Sequence, residues 1–371
     1  MRIAINCRSF LQRQYAGIGR YAYNLVQSLG RIDTKNEYAL YVRRKPFEFK
    51  RRVPHPPAKN FSVKVDWRNA GLFKTFGPVE IYHSPSPDSL EIDNTKIIVT
   101  VHDLIYKTYP QGHTPETIAQ TERQLNEAVA KASKIICTSQ STLNDLHKYF
   151  SVEKSRTCTA YQGVDKDVFY PLKSEEKDAA LRILKKKGIT QPFILFVGTI
   201  EPRKNIANLL EAFHHLRSRA KFSGQLVCVG MKGWMSDGLS ALIERLELQQ
   251  HVIFPGYLTD QELRCFYGLT QVFVFPSFYE GFGFPIVEAF SCGAAVVASS
   301  TSSCGEIAGD AALLINPKRS DEIASAIERI LQDENLKGQL QAKALRRAED
   351  FSFQKTAQET LKVYKEVAGV A

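Results

Sequence analysis

Two glutamates, Glu280 and Glu288, bracket the segment Gly281-Phe282-Gly283-Phe284-Pro285-Ile286-Val287, and an apolar run at 271–275 precedes them. The pattern reads as a strand, a glycine-bearing loop and a helix. Pro285 suits the first turn of that helix, where the N–H it lacks would have had no partner. Gly281 and Gly283 let the backbone approach a ligand closely and take positive φ. Free N–H groups at a helix start favour an anion or a row of sugar hydroxyls. Glu280 then lies in the loop and Glu288 about one turn into the helix. Carboxylates so spaced can accept hydrogen bonds from two separate sets of hydroxyls on one ligand. The plainer reading of the spacing alone is a loop charge and a first-turn glutamate favoured by the helix dipole.

Other residues invite chemistry. Arg203 and Lys204 follow an apolar strand at 193–197 and the segment Gly198-Thr199-Ile200-Glu201-Pro202. Two cations there can neutralise an anionic ligand such as a diphosphate. His102 and Asp103 stand at the end of a strand at 96–101. A lone histidine is more often structural, but a strand's carboxyl end is where α/β sheets bind ligands. Asp103 either orients His102 or meets a second substrate. Gly17-Ile18-Gly19-Arg20-Tyr21-Ala22 satisfies a dinucleotide-binding spacing, but about ten residues separate it from the first strand. The next strand, 37–42, ends in Val42-Arg43-Arg44, with no acidic residue for a ribose, so a nicotinamide-dependent oxidoreductase is disfavoured. Asp165-Lys166-Asp167 imitates a metal-binding Asp-x-Asp but lies in a connecting segment, and no other cluster suggests a catalytic metal.

The elements that must position these residues alternate regularly. Strands are expected at 2–6, 37–42, 80–83, 96–101 and 134–138, with helices near 18–30, 114–132 and 139–149. The rhythm repeats with strands at 193–197, 225–229, 251–254, 271–275, 294–298 and 312–315. Helices near 205–219, 238–248, 259–267, 284–291 and 303–308 separate them, and the chain is helical from about 320. Such alternation predicts two doubly wound α/β domains, each with a parallel sheet covered on both faces. A length of 371 residues fits two cores. The expected organisation is 1–170, 171–350 and a C-terminal helix at 351–371 returning to the first domain, with the site in the cleft between domains.

Charge is unevenly placed within a net +10: residues 1–170 carry 25 Lys+Arg against 16 Asp+Glu, and the remainder 24 against 23. The basic half points to an anionic membrane surface, an anionic substrate or nucleic acid. Nucleic acid is disfavoured, because no recognition motif occurs and an acidic glycine loop suits a phosphodiester chain poorly. Arg43-Arg44-Lys45-Pro46-Phe47-Glu48-Phe49-Lys50-Arg51-Arg52 mixes six cations with two rings, and is expected to touch anionic headgroups. No apolar run is long enough to span a bilayer, no signal peptide is evident, and seven scattered cysteines read as buried thiols. A cytoplasmic protein, peripheral on the inner membrane face at most, is expected.

Taken in order, Gly17–Tyr21, Val101–Ile105, Gly198–Asn205, Glu280–Glu288 and Ser302–Ala312 resemble the motifs of the family-4 retaining glycosyltransferases, which have the GT-B fold. The set is most similar to the bacterial mannosyltransferase-like subgroup acting on O-antigen and capsule precursors. The resemblance implies a nucleotide-diphosphate sugar as donor and a glycan or lipid-linked glycan as acceptor, with GDP-mannose the first guess. It implies that Glu288 meets the ribose, and that Glu280 with the N–H groups of Gly281, Phe282 and Gly283 holds the transferred sugar. It places His102 against the donor sugar and the diphosphate near Gly198–Asn205. Tyr257 and Leu258 are expected near the base. Many relatives carry arginine directly after the loop glycine, where this chain has Thr199, so Arg203 is expected to take over that task beside Lys204. The glycine loop with Gly17, Gly19 and Arg20 is expected to gate the acceptor. No cofactor or metal is implied, and the leaving phosphate itself accepts the acceptor's proton in a front-face mechanism. A nucleotide-sugar epimerase of the same fold is the alternative.

Overall fold

The computed structural model describes residues 1–11, 17–43, 54–66, 74–75, 77–87, 95–231 and 237–370. They divide into two compact units, Met1–Gly163 with Ser352–Ala371, and Val164–Phe351.

The first unit holds β1 (Arg2–Asn6), β2 (Glu37–Arg43), β3 (Phe61–Asp66), β4 (Ile81–Ser84), β5 (Lys96–Val101), β6 (Lys134–Cys137) and β7 (Thr157–Thr159). They form one parallel sheet in the order β3-β2-β1-β4-β5-β6-β7. The second unit holds β8 (Phe193–Val197), β9 (Gln225–Val229), β10 (Val252–Gly256), β11 (Val272–Phe275), β12 (Val296–Ser299) and β13 (Leu313–Ile315). Its parallel order is β10-β9-β8-β11-β12-β13. In the second sheet the central strands β8 and β11 are apolar throughout because helices cover both faces, and all five residues of β8 and all four of β11 are buried. Chain order reverses between β1 and β4 in one sheet and between β8 and β11 in the other, which opens a crevice at the carboxyl ends of those strands.

Several elements among the described residues were not anticipated. β3 and β7 are edge strands; β3 alternates exposed and covered residues and β7 is only three residues long, so neither shows the buried-strand pattern. The charged stretch after Lys173 contains the helix Lys177–Lys186, amphipathic, with Ala180 and Leu184 as its buried face.

The boundary falls at Gly163–Val164, not after residue 170 as expected. Residues 164–170 join the second unit because Phe169 is 1% exposed there, edge-on to the Tyr267 ring. The helix Phe353–Ala368 belongs to the first unit. The Tyr364 hydroxyl lies 2.6 Å from His83 Nδ1, Lys96 Nζ donates to Val367 O at 2.6 Å, and Lys134 Nζ pairs with Glu366 at 2.5 Å. Gly163 admits this return: a Cβ there would sit 2.0 Å from Phe353 N.

Candidate active site

In the second unit, three loops at adjacent strand ends build one site. The first follows β8, where Pro202–Lys204 makes a single 3-10 turn and Asn205 takes a left-handed conformation with φ 61°. Asparagine tolerates that conformation better than most residues. Its Nδ2 donates to Pro276 O at 3.0 Å and Pro317 O at 2.6 Å, tying this loop to the one after β11. Gly230, directly after β9, is forced by close packing, since a Cβ would meet Gly198 O at 2.0 Å.

The second loop, after β11, carries Glu280, and the third, after β12, holds it. Thr301 Oγ1 donates to Phe278 O at 2.8 Å, the Glu280 N–H donates to Ser302 Oγ at 2.9 Å, and Ser303 Oγ donates to Glu280 O at 2.8 Å. From the other side the Phe278 N–H donates to Arg203 O at 2.9 Å. The chain then turns at Gly283, φ 101°, into the helix Phe284–Ser291, with Pro285 in its first turn as expected.

The charged side chains meet at one atom. Lys204 Nζ lies 2.6 Å and Arg203 Nη1 2.9 Å from Glu280 Oε1. Arg203 also donates from Nη1 to Tyr279 O at 2.6 Å and from Nη2 to Glu201 Oε1 at 2.5 Å. Two cations and two carboxylates thus form a shielded, charge-balanced quartet. Burial pushes the Glu280 carboxyl up, but the charges of Arg203 and Lys204 outweigh it and leave the pKa at about 2. Glu280 is therefore a carboxylate at neutral pH and a poor proton acceptor.

Glu288 lies in the helix Phe284–Ser291, only 3% exposed, and its Oε2 accepts from the Tyr267 hydroxyl at 3.0 Å. Neither Tyr267 nor Glu201 was anticipated; both act from a distance in sequence or through a neighbour's side chain, and no local pattern marks them. Leu258 is buried and Tyr257 is 53% exposed, just past β10.

In the first unit, His102 follows β5 with its imidazole already engaged. Nε2 lies 2.7 Å from Pro85 O and Nδ1 3.2 Å from Gln162 Nε2. The two contacts are jointly satisfied when Nε2 carries the proton and Nδ1 accepts from the amide. Its carbonyl accepts from Thr138 Oγ1 and Thr142 Oγ1, and Tyr21 packs edge-on against the ring. Burial holds the His102 pKa below its ordinary value, against the bond to Pro85 and the charge of Asp103. Asp103 itself accepts from the Ile105 N–H at 3.1 Å, so the groups hydrogen-bonded to the His102 ring are Pro85 and Gln162, not Asp103. Gly17, Gly19 and Arg20 lie in the first turn of the helix Gly17–Ile32, which was expected near 18–30, and Gly19 is buried.

Asp165 caps its own turn, accepting from the Asp167 N–H at 3.1 Å, while Lys166 pairs with Glu349. Among the described residues no three His, Cys, Asp or Glu side chains are grouped to hold a metal, and no helix is long and apolar enough to cross a membrane. The seven cysteines are free thiols, all but Cys158 buried. The basic run from Arg44 to Arg52 lies outside the described residues.

Comparison with known proteins shows the family. Residues 180–347 match the family described as glycosyl transferases group 1, and residues 15–168 match glycosyltransferase family 4. O-antigen chain mannosyltransferase B of Escherichia coli is 32% identical over 88% of this chain and 82% of its own length. Among solved structures, sucrose-phosphate synthase of Thermosynechococcus elongatus superposes with a TM-score of 0.76 at 21% identity, covering 99% of this chain and 98% of its own. WaaG, a glycosyltransferase involved in lipopolysaccharide biosynthesis, gives 0.73 at 15% identity over 97% and 99%. These structures share the GT-B fold of two parallel-sheet domains. Two family matches in tandem and a relative identical at nearly a third of the aligned positions leave one conclusion: the chain belongs to the group 1, family 4 glycosyltransferases.

Proposed function

We propose that the protein transfers mannose from GDP-mannose, with retention at the anomeric carbon, to a glycan or lipid-linked glycan in cell-surface polysaccharide synthesis. One observation carries the reading: Lys204 and Arg203 converge on Glu280 Oε1 at the strand-order reversal, beside the helix that bears Glu288. Lys204 meets the donor diphosphate and stabilises the charge of the leaving group. Glu288, oriented by Tyr267, accepts from ribose hydroxyls. Glu280 and the main chain of Gly281, Phe282 and Gly283 hold hydroxyls of the transferred sugar.

Glu280 is neither nucleophile nor general base in this reading. A carboxylate whose pKa two cations hold at about 2 attracts a proton or an electrophile weakly. The leaving phosphate takes the acceptor's proton, and the protein supplies position and electrostatics without a metal. The choice of mannose rests on the E. coli relative's specificity. The basic run beginning at Arg43 is proposed to touch anionic lipid, and neutralising its six cations should then abolish binding in liposome sedimentation.

A thermal-shift panel of nucleoside diphosphates and nucleotide sugars tests the donor. A ligand at a hundred times its dissociation constant adds about 2.7 kcal/mol of stability. GDP and GDP-mannose are expected to stabilise most. A panel in which no nucleoside diphosphate shifts the midpoint removes the proposal.

A further inference from the structure

The Glu201 side chain faces Arg203, and Arg203 faces the main chain and side chain of the Glu280 loop. Of the guanidinium's two terminal nitrogens, Nη2 is held by Glu201 Oε1 at 2.5 Å, while Nη1 reaches both Tyr279 O at 2.6 Å and Glu280 Oε1 at 2.9 Å. The Arg203 carbonyl accepts from the Phe278 N–H at 2.9 Å, so Arg203 clasps residues 278–280 by main chain and side chain together. Side-chain exposures of 14% for Arg203 and 17% for Glu201 put this clasp where solvent screens it little. A planar guanidinium fixed at one end by a carboxylate has its other end aimed, which a flexible ammonium would not.

We propose that Glu201 is a positioning residue: by fixing the Arg203 guanidinium, it sets where the Glu280 carboxylate stands for the donor's sugar. Arg203 is thereby a fastener of the Glu280 loop, and Lys204 is the cation that meets phosphate. This rests on the donor-site reading above. The loop's main chain is anchored separately by Thr301, Ser302 and Ser303, so losing Glu201 moves the carboxylate without unfolding the loop.

Two variants of equal charge isolate the effect. Glu201→Gln loses the charge but keeps an acceptor for the guanidinium; Glu201→Ala loses both. Calorimetric titration with GDP-mannose and with GDP reads the sugar's contribution apart from the nucleotide's. We expect Glu201→Ala to bind GDP-mannose about tenfold more weakly than Glu201→Gln, with GDP affinities of the two agreeing within about threefold. Equal GDP-mannose affinities overturn the proposal. GDP affinities more than about threefold apart do so as well, since Arg203 would then be gripping phosphate. Arg203→Lys, which keeps the charge but cannot span three acceptors, covers the case in which Glu201→Ala does not fold. It is expected to lose GDP-mannose affinity with GDP affinity kept, and wild-type GDP-mannose binding by this variant also overturns the idea. A wild-type protein that binds neither ligand removes the donor reading itself, a result distinct from any difference between variants.

Discussion

Replacing Glu280 by glutamine should change how the protein responds to acid, by an amount the site's geometry fixes. The carboxylate is held at a pKa of about 2 against an ordinary value of 4.5. A lowered folded-state pKa stabilises the fold above the unfolded value, and the contribution is lost as pH falls through the folded value. By linkage, Glu280 contributes about 3 kcal/mol at neutral pH and about 1 kcal/mol at about pH 3. Wild type therefore loses about 2 kcal/mol from this group between about pH 6 and pH 3, and Glu280→Gln loses none of it. Urea unfolding followed by circular dichroism across that range measures both proteins. Other carboxylates, including Glu176, whose hydrogen bond from Arg264 holds it at about 2, titrate alike in each and cancel in the difference. Parallel stability curves would refute the reasoning: Glu280 would then not be an ion held by Arg203 and Lys204.

Four further outcomes are expected. Lys204→Ala and Glu288→Ala should each weaken GDP binding by about 10- to 100-fold, the loss of a charge-assisted hydrogen bond, as measured by calorimetry. Tyr267→Phe deletes the hydroxyl 3.0 Å from Glu288 Oε2 and should weaken GDP binding several-fold, by less than Glu288→Ala does. Gly163→Ala places a Cβ 2.0 Å from Phe353 N and 2.3 Å from Ser352 C, both main-chain atoms, and should lower the urea-unfolding free energy. Because neither atom can rotate aside, the cost should reach about 3 kcal/mol. Transfer from GDP-mannose, followed by release of GDP, should keep its rate in excess EDTA.

What could be read from the sequence follows from how local each signal is. The run from β11 to the helix Phe284–Ser291 was legible almost to the residue, because buried strand, glycine turn and proline-started helix are each written in consecutive positions. Lys204 and Asn205 were legible as a loop end, but the 76-residue separation between Lys204 and Glu280 hid their contact. Arg203 was read as a phosphate ligand from its charge and its place in the loop motif, and its contacts with Glu201 and Tyr279 O, made through the side chain, had no mark in the sequence. Tyr267 sat unmarked in a helix of mixed composition, since nothing in Tyr267-Gly268-Leu269 indicates that its hydroxyl faces a carboxylate. The helix expected near 18–30 starts at Gly17, because Tyr21, Ala22, Leu25 and Leu29 supply a buried face that carries it through the glycines. The edge strand β3 escaped because its solvated face breaks the apolar run by which central strands are recognised.

The closing of the first sheet's domain by Tyr364 and Glu366 bears on the order of events at the ribosome. Domains commonly mature from the N-terminus onward as the chain emerges. Here the earlier-made residues stay short of a helix until the polypeptide has been synthesised past position 366, while 164–351 form an uninterrupted unit that can fold beforehand. The nascent protein would thus finish its second unit first and hold its opening half unfinished longest, the interval in which chaperones have most to protect.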